Sequence, residues 1–125
     1  MPGVNISVIK LADVLLVTVP PEPDDQTLSA LQVRVLQAMA QFDARGLVLD
    51  ISTVQTFDSF FARTVEETVR MVAIMGGRTV LAGMRANVAV TATQLGLTLR
   101  DAMTALDVDR AIKLLNAVSG AASAP

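Results

Sequence analysis

A nearly uninterrupted apolar stretch, followed by a polar link and an amphipathic segment, is the feature that most restricts how this chain can fold. Residues 46–51 have the sequence GLVLDI. A strand this apolar is covered on both faces, which is typical of parallel strands in sheets flanked by helices. After the polar link at 52–56, apolar residues recur with helical spacing over 57–75. The pattern therefore predicts an α/β fold.

The other segments of the chain predict the element order β-β-α-β-α-β-α-α, a mixed sheet with helices packed on it. Alternating or continuous apolar patterns predict three further strands, at residues 4–10, 14–19 and 78–83. Helical spacing and acidic caps predict four helices: from Asp24 or Asp25 to 43, over 58–75, over 87–95, and one capped by Asp107. We expect one domain at residues 1–117 and a flexible tail at 118–125.

Apolar residues at three-to-four spacing predict which side of each helix is buried. The stripe of the first helix consists of Leu28, Leu31, Val35, Met39 and Phe42. The stripe of the second consists of Phe61, Val65, Val69 and Val72, and the last helix directs Val108, Ile112 and Leu115 inward. Because glycine commonly follows a helix end, the first helix is expected to end at Arg45-Gly46 and the second at Gly76-Gly77.

The apolar content argues for extensive burial but not for a membrane protein. Of the 125 residues, 52% are apolar, yet the longest apolar runs fall far short of the ~20 residues that a membrane span requires. The first residues enter a strand pattern directly instead of forming a charged and then apolar leader, so no signal peptide is expected. We therefore expect a cytoplasmic protein without a membrane partner.

Missing residue types exclude several classes of function. The chain has no cysteine and no histidine, which excludes a disulfide framework, a His/Cys zinc site, a cysteine protease and a histidine-dependent hydrolase. The net charge is −2, the ten Lys and Arg residues are scattered along the sequence, and Trp and Tyr are absent. Nucleic-acid binding is therefore not expected. We also expect no cofactor and no bound metal.

Carboxylates and glycines supply no catalytic motif. General acid–base catalysis would need a pair of carboxylates. The candidates are Asp50, Asp58, Glu66 and Glu67. The two glutamates are expected to point outward, and the sequence indicates no pocket-lining residue that would complete a catalytic pair. Gly76-Gly77 and Gly83 lack the Gly-Lys-Ser/Thr continuation of a phosphate-binding loop, so they are interpreted as turn glycines. We expect no enzymatic activity.

Asp58 and Ser59 stand where the buried strand and its link give way to the second helix. The first turn of a helix has backbone N–H groups without intrahelical partners, and it favours negative charge. A phosphate on Ser59 would meet both features. Serine is also common at helix starts for capping alone. Arg63, four residues later, would either pair with such a phosphate or only with Glu67, so the residues alone leave both interpretations open.

Several short pieces of sequence, in their order and spacing, resemble the STAS family, which has the fold of anti-anti-sigma factors. The pieces are 49–52, Asp58-Ser59-Phe60, 80–84, 88–89, 95–99 and 104–106, within a similarity that covers residues 4–116. Within this family the chain is most similar to the RsbS group of small stressosome scaffolds. The resemblance implies a single STAS domain.

Further expectations about partners come from the same resemblance. In the RsbS group, the serine equivalent to Ser59 is phosphorylated by a serine kinase of the RsbT type. The group co-assembles with RsbR-like STAS paralogues into a large cytoplasmic particle that holds the kinase until phosphorylation releases it. By resemblance Ser59 is the phosphate acceptor, and Asp58, Ser59, Phe60 and Arg63 form the predicted partner-binding surface. A homodimer is expected as well.

Two departures separate the chain from other members of the family. Simple anti-anti-sigma factors tend to read Asp-Ser-Ser-Gly here, whereas Phe60-Phe61 follows Ser59. RsbR-like paralogues carry phosphorylatable threonines and a sensory domain, whereas Ala82 has no hydroxyl and the chain starts almost at its first strand. Both departures favour the RsbS group. The alternative is a simple anti-anti-sigma factor that binds an anti-sigma kinase in a small complex.

Overall fold

The computed structural model describes residues 6–97 and 100–123, which form one five-stranded sheet and four helices. The strands are β1 (Ser7–Leu11), β2 (Val14–Thr18), β3 (Gly46–Asp50), β4 (Arg78–Ala82) and β5 (Ala102–Ala105). The helices are α1 (Asp25–Gln41), α2 (Ser59–Ile74), α3 (Ala86–Gln94) and α4 (Val108–Ser123). The strands lie in the order β1-β2-β3-β4-β5, with β1 antiparallel to β2 and the remaining neighbours parallel. The predicted mixed sheet is confirmed.

Two separate apolar layers cover the two faces of the sheet. Alternate strand residues, including Leu47 and Leu49, pack against α1, α2 and α3 on one face. Val48 between them faces the other side, where α4 contributes Ala111 and Leu115. Because adjacent parallel strands are joined by crossovers of one hand, the three connecting helices share a face. This two-sided coverage is why β3 shows no polar alternation.

The sequence analysis missed strand β5. Its four residues are AMTA, it pairs only with β4, and none of its side chains is fully buried. A short edge strand of mostly small residues has neither a continuous apolar run nor a clear alternation of period two, so no strand pattern was visible. The element order is therefore β-β-α-β-α-β-α-β-α.

The first helix begins as predicted and ends earlier than predicted. Asp24 is its N-cap, accepting a hydrogen bond from the Thr27 N–H at 2.7 Å, and hydrogen bonding to Thr27 lowers the pKa of Asp24. The helix ends at Gln41 because Asp43 adopts a positive φ of 49°. The predicted burial of Phe42 is wrong: its side chain is 41% exposed, beside Lys10.

The other helix ends agree more closely with the prediction. Gly76 follows α2 with a φ of 91°, a conformation that glycine adopts without steric cost. Helix α4 extends to Ser123, past the predicted domain boundary at 117, and flexibility of the tail stays a prediction. The first two residues of the predicted first strand, at 4–5, and the last two of the tail, at 124–125, lie outside the described residues.

Ala12 carries a conformation better suited to glycine, which leads to a stability prediction. It lies in the two-residue turn between β1 and β2, with a φ of 57°. The left-handed region costs an alanine roughly 1–2 kcal/mol, and the flexibility of an unfolded glycine offsets about half of that. We expect Ala12→Gly to raise the free energy of unfolding by about 0.5–1 kcal/mol in urea titrations. Ala40→Gly, at an exposed position in the last turn of helix α1, should instead lose up to about 1 kcal/mol, and an equal loss at Ala12 would contradict the prediction.

Candidate functional site

A tightly held loop leads from β3 to the start of α2 at the carboxyl edge of the sheet. The Ile51 N–H donates to the Ala82 carbonyl at 2.9 Å, and the Gln55 N–H donates to the Pro21 carbonyl at 2.8 Å. The side chain of Val54 between them is fully buried. The loop is therefore anchored to β4 and to the loop after β2, so the helix start that follows has a defined position.

Gly83 and Asp50 shape the beginning of this loop. Gly83 has a φ of 78°, and a Cβ there would lie 2.7 Å from the Ser52 Cβ, closer than two carbons can approach. The positive φ and this close approach both require glycine at position 83. Asp50 Oδ1 accepts a hydrogen bond from the Ser52 N–H at 3.0 Å. The Asp50 carboxylate thus stabilises the turn that follows β3.

The glutamates that the sequence analysis placed outside are half-buried instead. Glu66 and Glu67 both lie on the part of α2 that approaches other elements, and Glu67 Oε1 is 3.5 Å from the Gln32 Nε2 of α1. Because α1 packs alongside α2, this helix has less solvent-facing surface than an isolated amphipathic helix. The described residues, 6–97 and 100–123, contain no group of three or more acidic side chains suited to hold a metal ion.

Asp58 caps the amino end of α2. Its backbone is extended, with φ −111° and ψ −177°, and its Oδ1 accepts a hydrogen bond from the Phe61 N–H at 2.8 Å. Its carbonyl accepts the first intrahelical bond, from the Ala62 N–H at 3.0 Å. Asp58 therefore determines where the helix begins, and it orients the residue that follows.

Ser59 is the first residue of α2, and its side chain is exposed. Among the described groups, the N–H of Ser59 and the N–H of Phe60 find no hydrogen-bond acceptor. These two donors and the positive end of the helix dipole surround the serine hydroxyl. This end of the helix therefore favours negative charge.

Three phenylalanines divide the helix start into a buried and an exposed part. Phe61 is 2% exposed and stacks on Phe57, with ring centroids 4.7 Å apart and an angle of 28° between the rings. Phe60 is only half-buried, packing one side against the core. The free side of Phe60 lies next to Ser59 in sequence, so an apolar surface accompanies the hydroxyl.

Arg63 is exposed one turn after Ser59 and forms no ion pair with another described residue. The alternative partner, Glu67, approaches Gln32 instead. Residues four apart on a helix lie on the same face, so Arg63 is within reach of a group attached to Ser59. The structure thus brings together all four predicted partner-binding residues, Asp58, Ser59, Phe60 and Arg63.

The structure adds residues at the same edge that the sequence analysis did not single out. The loop before α2 carries three exposed hydroxyls, on Ser52, Thr53 and Thr56. Leu106, which follows β5, is 76% exposed. Leu106 could have been placed at this edge only by finding β5, whose pattern is too weak. A partner that docks at Ser59 would meet this edge as well.

The cap at Asp58 predicts a measurable stability difference. We expect Asp58→Ala to lower the free energy of unfolding by about 1 kcal/mol, because the Phe61 N–H loses its acceptor. Asp58→Asn keeps an equivalent cap and should stay within a few tenths of a kcal/mol of the wild type. Urea titration measures both variants. If the asparagine variant were as destabilised as the alanine variant, charge rather than capping would explain the loss.

Comparison with protein families identifies the fold. The STAS domain model matches residues 5–111. This chain belongs to the STAS family. Its five-stranded mixed sheet with four helices is a single STAS domain within the described residues. No curated protein matches the chain.

Two similar solved structures are an RsbS variant and a stressosome assembly. A serine-to-glutamate variant of RsbS from Moorella thermoacetica has a TM-score of 0.81 and 30% identity, covering 91% of this chain and 97% of that one. A structure described as the molecular architecture of the stressosome has a TM-score of 0.77 and 28% identity, covering 90% and 98%. The predicted similarity to the RsbS group is confirmed.

A more distant structure shares the fold alone. The anti-sigma factor antagonist SpoIIAA in its unphosphorylated form has a TM-score of 0.74 and 17% identity, covering 90% of this chain and 97% of that one. Over residues 6–97 and 100–123, none of the helices is both long and apolar enough to cross a membrane.

Proposed function

We propose that this STAS protein is a stressosome scaffold that binds an RsbT-type serine kinase and is phosphorylated by it on Ser59, which releases the kinase. The observation that carries the proposal is the exposed Ser59 in the first turn of α2, beside two unused N–H donors, in a chain similar to RsbS. The chain acts in this proposal as an antagonist and substrate of an enzyme, not as an enzyme.

Phosphorylation of Ser59 would change the surface without unfolding it. A phosphoserine carries about −1.5 to −2 charges at neutral pH. The helix dipole, the free N–H groups of Ser59 and Phe60, and the nearby Arg63 all favour that charge at this position. The neighbouring carboxylate of Asp58 concentrates negative charge next to it. The modified protein should therefore stay folded while presenting a strongly negative helix start.

Release follows if the kinase binds the unmodified helix start closely. Phe60 offers a half-exposed aromatic ring, and Asp58 and Arg63 offer charged groups around Ser59. A new charge inside such a contact must be desolvated or repelled, which typically costs several kcal/mol when no opposite charge is provided. The complex with the kinase is thus stable before Ser59 is phosphorylated and unstable afterwards. The same surface at the start of α2 accounts for both binding and release.

The similarity to the RsbS and stressosome structures supports the proposed partners. They are an RsbR-like STAS paralogue, with which the chain forms a large cytoplasmic assembly, and the kinase that this assembly holds. A homodimer is the smaller unit from which it is built.

Reconstitution with purified partners tests the proposal. The chain, an RsbR-like paralogue and an RsbT-type kinase are mixed, and light scattering after size-exclusion chromatography measures the mass of the complex. We expect a very large particle that retains the kinase and loses it when Mg-ATP is added. A small complex with the kinase would favour the simple anti-anti-sigma alternative. If the kinase binds neither the chain alone nor the complex with the paralogue, with or without Mg-ATP, the proposal is contradicted.

A further inference from the structure

Three arginines that are distant in sequence lie together at the amino edge of the sheet, opposite Ser59. Arg45 directly precedes β3, Arg78 begins β4, and Arg100 lies two residues before Ala102, the first residue of β5. Amino ends of neighbouring parallel strands meet at one edge, and the Arg78 N–H donates to the Arg45 carbonyl at 3.0 Å. The basic residues that look scattered in sequence are therefore partly clustered in the fold.

A cavity of about 120 Å³ lies between two of these arginines. Arg45 and Arg78 line it together with Asp13, and Leu115 of α4 forms an apolar wall. Gly76 lines another part of the cavity. A Cβ added at Gly76 would have no atom within 4 Å, so the cavity is open on that side. The cavity is much smaller than the roughly 300–1,000 Å³ typical of sites for drug-sized molecules, which restricts an occupant to a small group.

The guanidinium groups at this cavity have no ionic partner. Among residues 6–97 and 100–123, the ion pairs are Arg110–Asp107 and Lys113–Asp109, and both involve helix α4. Asp13 shares the cavity but does not lie within ion-pair distance of Arg45 or Arg78. Two positive groups and one negative group leave the lining with a net charge of about +1, counting each side chain at its full charge. Unpaired arginines that face one small space favour an anion.

Backbone groups restrict the kind of contact that an anion can make here. The N–H groups of Arg45 and Gly46 both donate to the Asp13 carbonyl, and the Gly76 and Gly77 N–H groups donate to carbonyls of α2. The side-chain donors in the lining are the guanidinium forks of Arg45 and Arg78. Their planar geometry matches the paired oxygens of a phosphate, and they hold it more specifically than a lysine would.

We propose that this cavity binds a phosphate group between Arg45 and Arg78. An adjoining cavity of about 360 Å³ shares Gly76 and Arg78 and adds both Arg100 and Asp101, so the rest of a phosphate ester has room beside the bound group. The site shares no residue with the helix start at Ser59. If phosphate does not bind in this cavity, the proposed function of Ser59 is unaffected. If Ser59 is not phosphorylated, the proposed phosphate site is equally unaffected.

Calorimetric titration of the full chain tests the site with two probes, inorganic phosphate and glycerol 3-phosphate, at constant ionic strength with chloride as the reference. We expect saturable binding below roughly 10 mM, and Arg78→Gln and Arg45→Gln should each weaken it about tenfold, since charged hydrogen bonds are lost. Tighter binding of the ester than of phosphate would show that the adjoining cavity is used. Equal binding would show that free phosphate is the occupant.

Matched variants make the outcome decisive. Asp13→Asn keeps the backbone carbonyl that holds Arg45 and removes the one negative charge, so phosphate should bind severalfold more tightly. Arg34→Gln, on the exposed face of α1, should leave binding unchanged. If an arginine variant fails to fold, amide chemical shifts of Gly76 and Arg78 in the wild-type protein should move with phosphate and not with chloride. Absence of saturable binding, or an equal effect of Arg34→Gln, would overturn the proposal.

Discussion

Ser59→Ala is expected to bind the RsbT-type kinase as the wild type does, and to retain it after Mg-ATP is added. The alanine removes only a small exposed hydroxyl, while the cap at Asp58 and the ring of Phe60 stay in place. Without the hydroxyl no phosphate can be added at the helix start, so the event that drives release is missing. Kinase co-elution with and without Mg-ATP measures the effect. Loss of kinase binding by Ser59→Ala alone would show that the hydroxyl itself makes the contact.

Ser59→Asp provides the opposite change. A single permanent charge is less than that of a phosphate, so we expect kinase affinity to fall by about 10- to 100-fold instead of being abolished. Thr56→Asp is the matched control, because Thr56 is an exposed residue of the preceding loop and is not part of the helix. It should weaken the complex much less. Equal weakening by both variants would indicate that net charge, and not position at the helix start, governs release.

Phe61→Ala is expected to lower the free energy of unfolding by about 3–5 kcal/mol, the range for large aromatic residues in cores. Phe61 is among the largest fully buried side chains and stacks on Phe57. Its removal leaves a cavity between α2 and the sheet, directly beneath the candidate site. Urea titration with circular dichroism measures the loss. A loss of less than about 1 kcal/mol would mean that the core closes around the missing ring.

Phe60→Ala, one residue earlier, separates stability from recognition. Phe60 is half-buried, so its removal should cost roughly 1–2 kcal/mol, clearly less than the removal of Phe61. Its free surface beside Ser59 is proposed to contact the kinase, so affinity should fall by about tenfold or more. A Phe60→Ala protein that binds the kinase as tightly as the wild type would remove Phe60 from the interface.

The part of the fold that positions Ser59 could be predicted from the sequence because each signal there is local. The apolar strand β3 reflects coverage on both faces, and Asp58 is a cap whose hydrogen-bond donor, the Phe61 N–H, lies three residues away. The buried line of α2 follows from helical spacing alone, and its predicted members are all buried. Sequence pattern and structure agree where one residue's role depends on its near neighbours.

Most of the features that escaped prediction depend on distant residues. Strand β5 exists because β4 offers an edge to pair with, and its own four residues carry little signal. The exposure of Phe42 follows from the early turn at Asp43, a residue type that tolerates a positive φ but does not demand it. The arginine cluster requires knowing that β3, β4 and β5 are neighbours. Strand β5 and the arginine cluster both need the sheet order before they can be seen, whereas the exposure of Phe42 needs only the turn beside it.

Mapping the phosphate after incubation with the kinase and Mg-ATP, in the presence of an RsbR-like paralogue, is the most direct test of the central claim. Intact mass gives the number of phosphates, and peptide mass distinguishes Ser59 from the exposed Ser52, Thr53 and Thr56 nearby. The account predicts a single phosphate on Ser59 that is absent from the Ser59→Ala protein. A phosphate on one of the loop hydroxyls, or none at all, would contradict it and leave Ser59 as a residue of the helix cap.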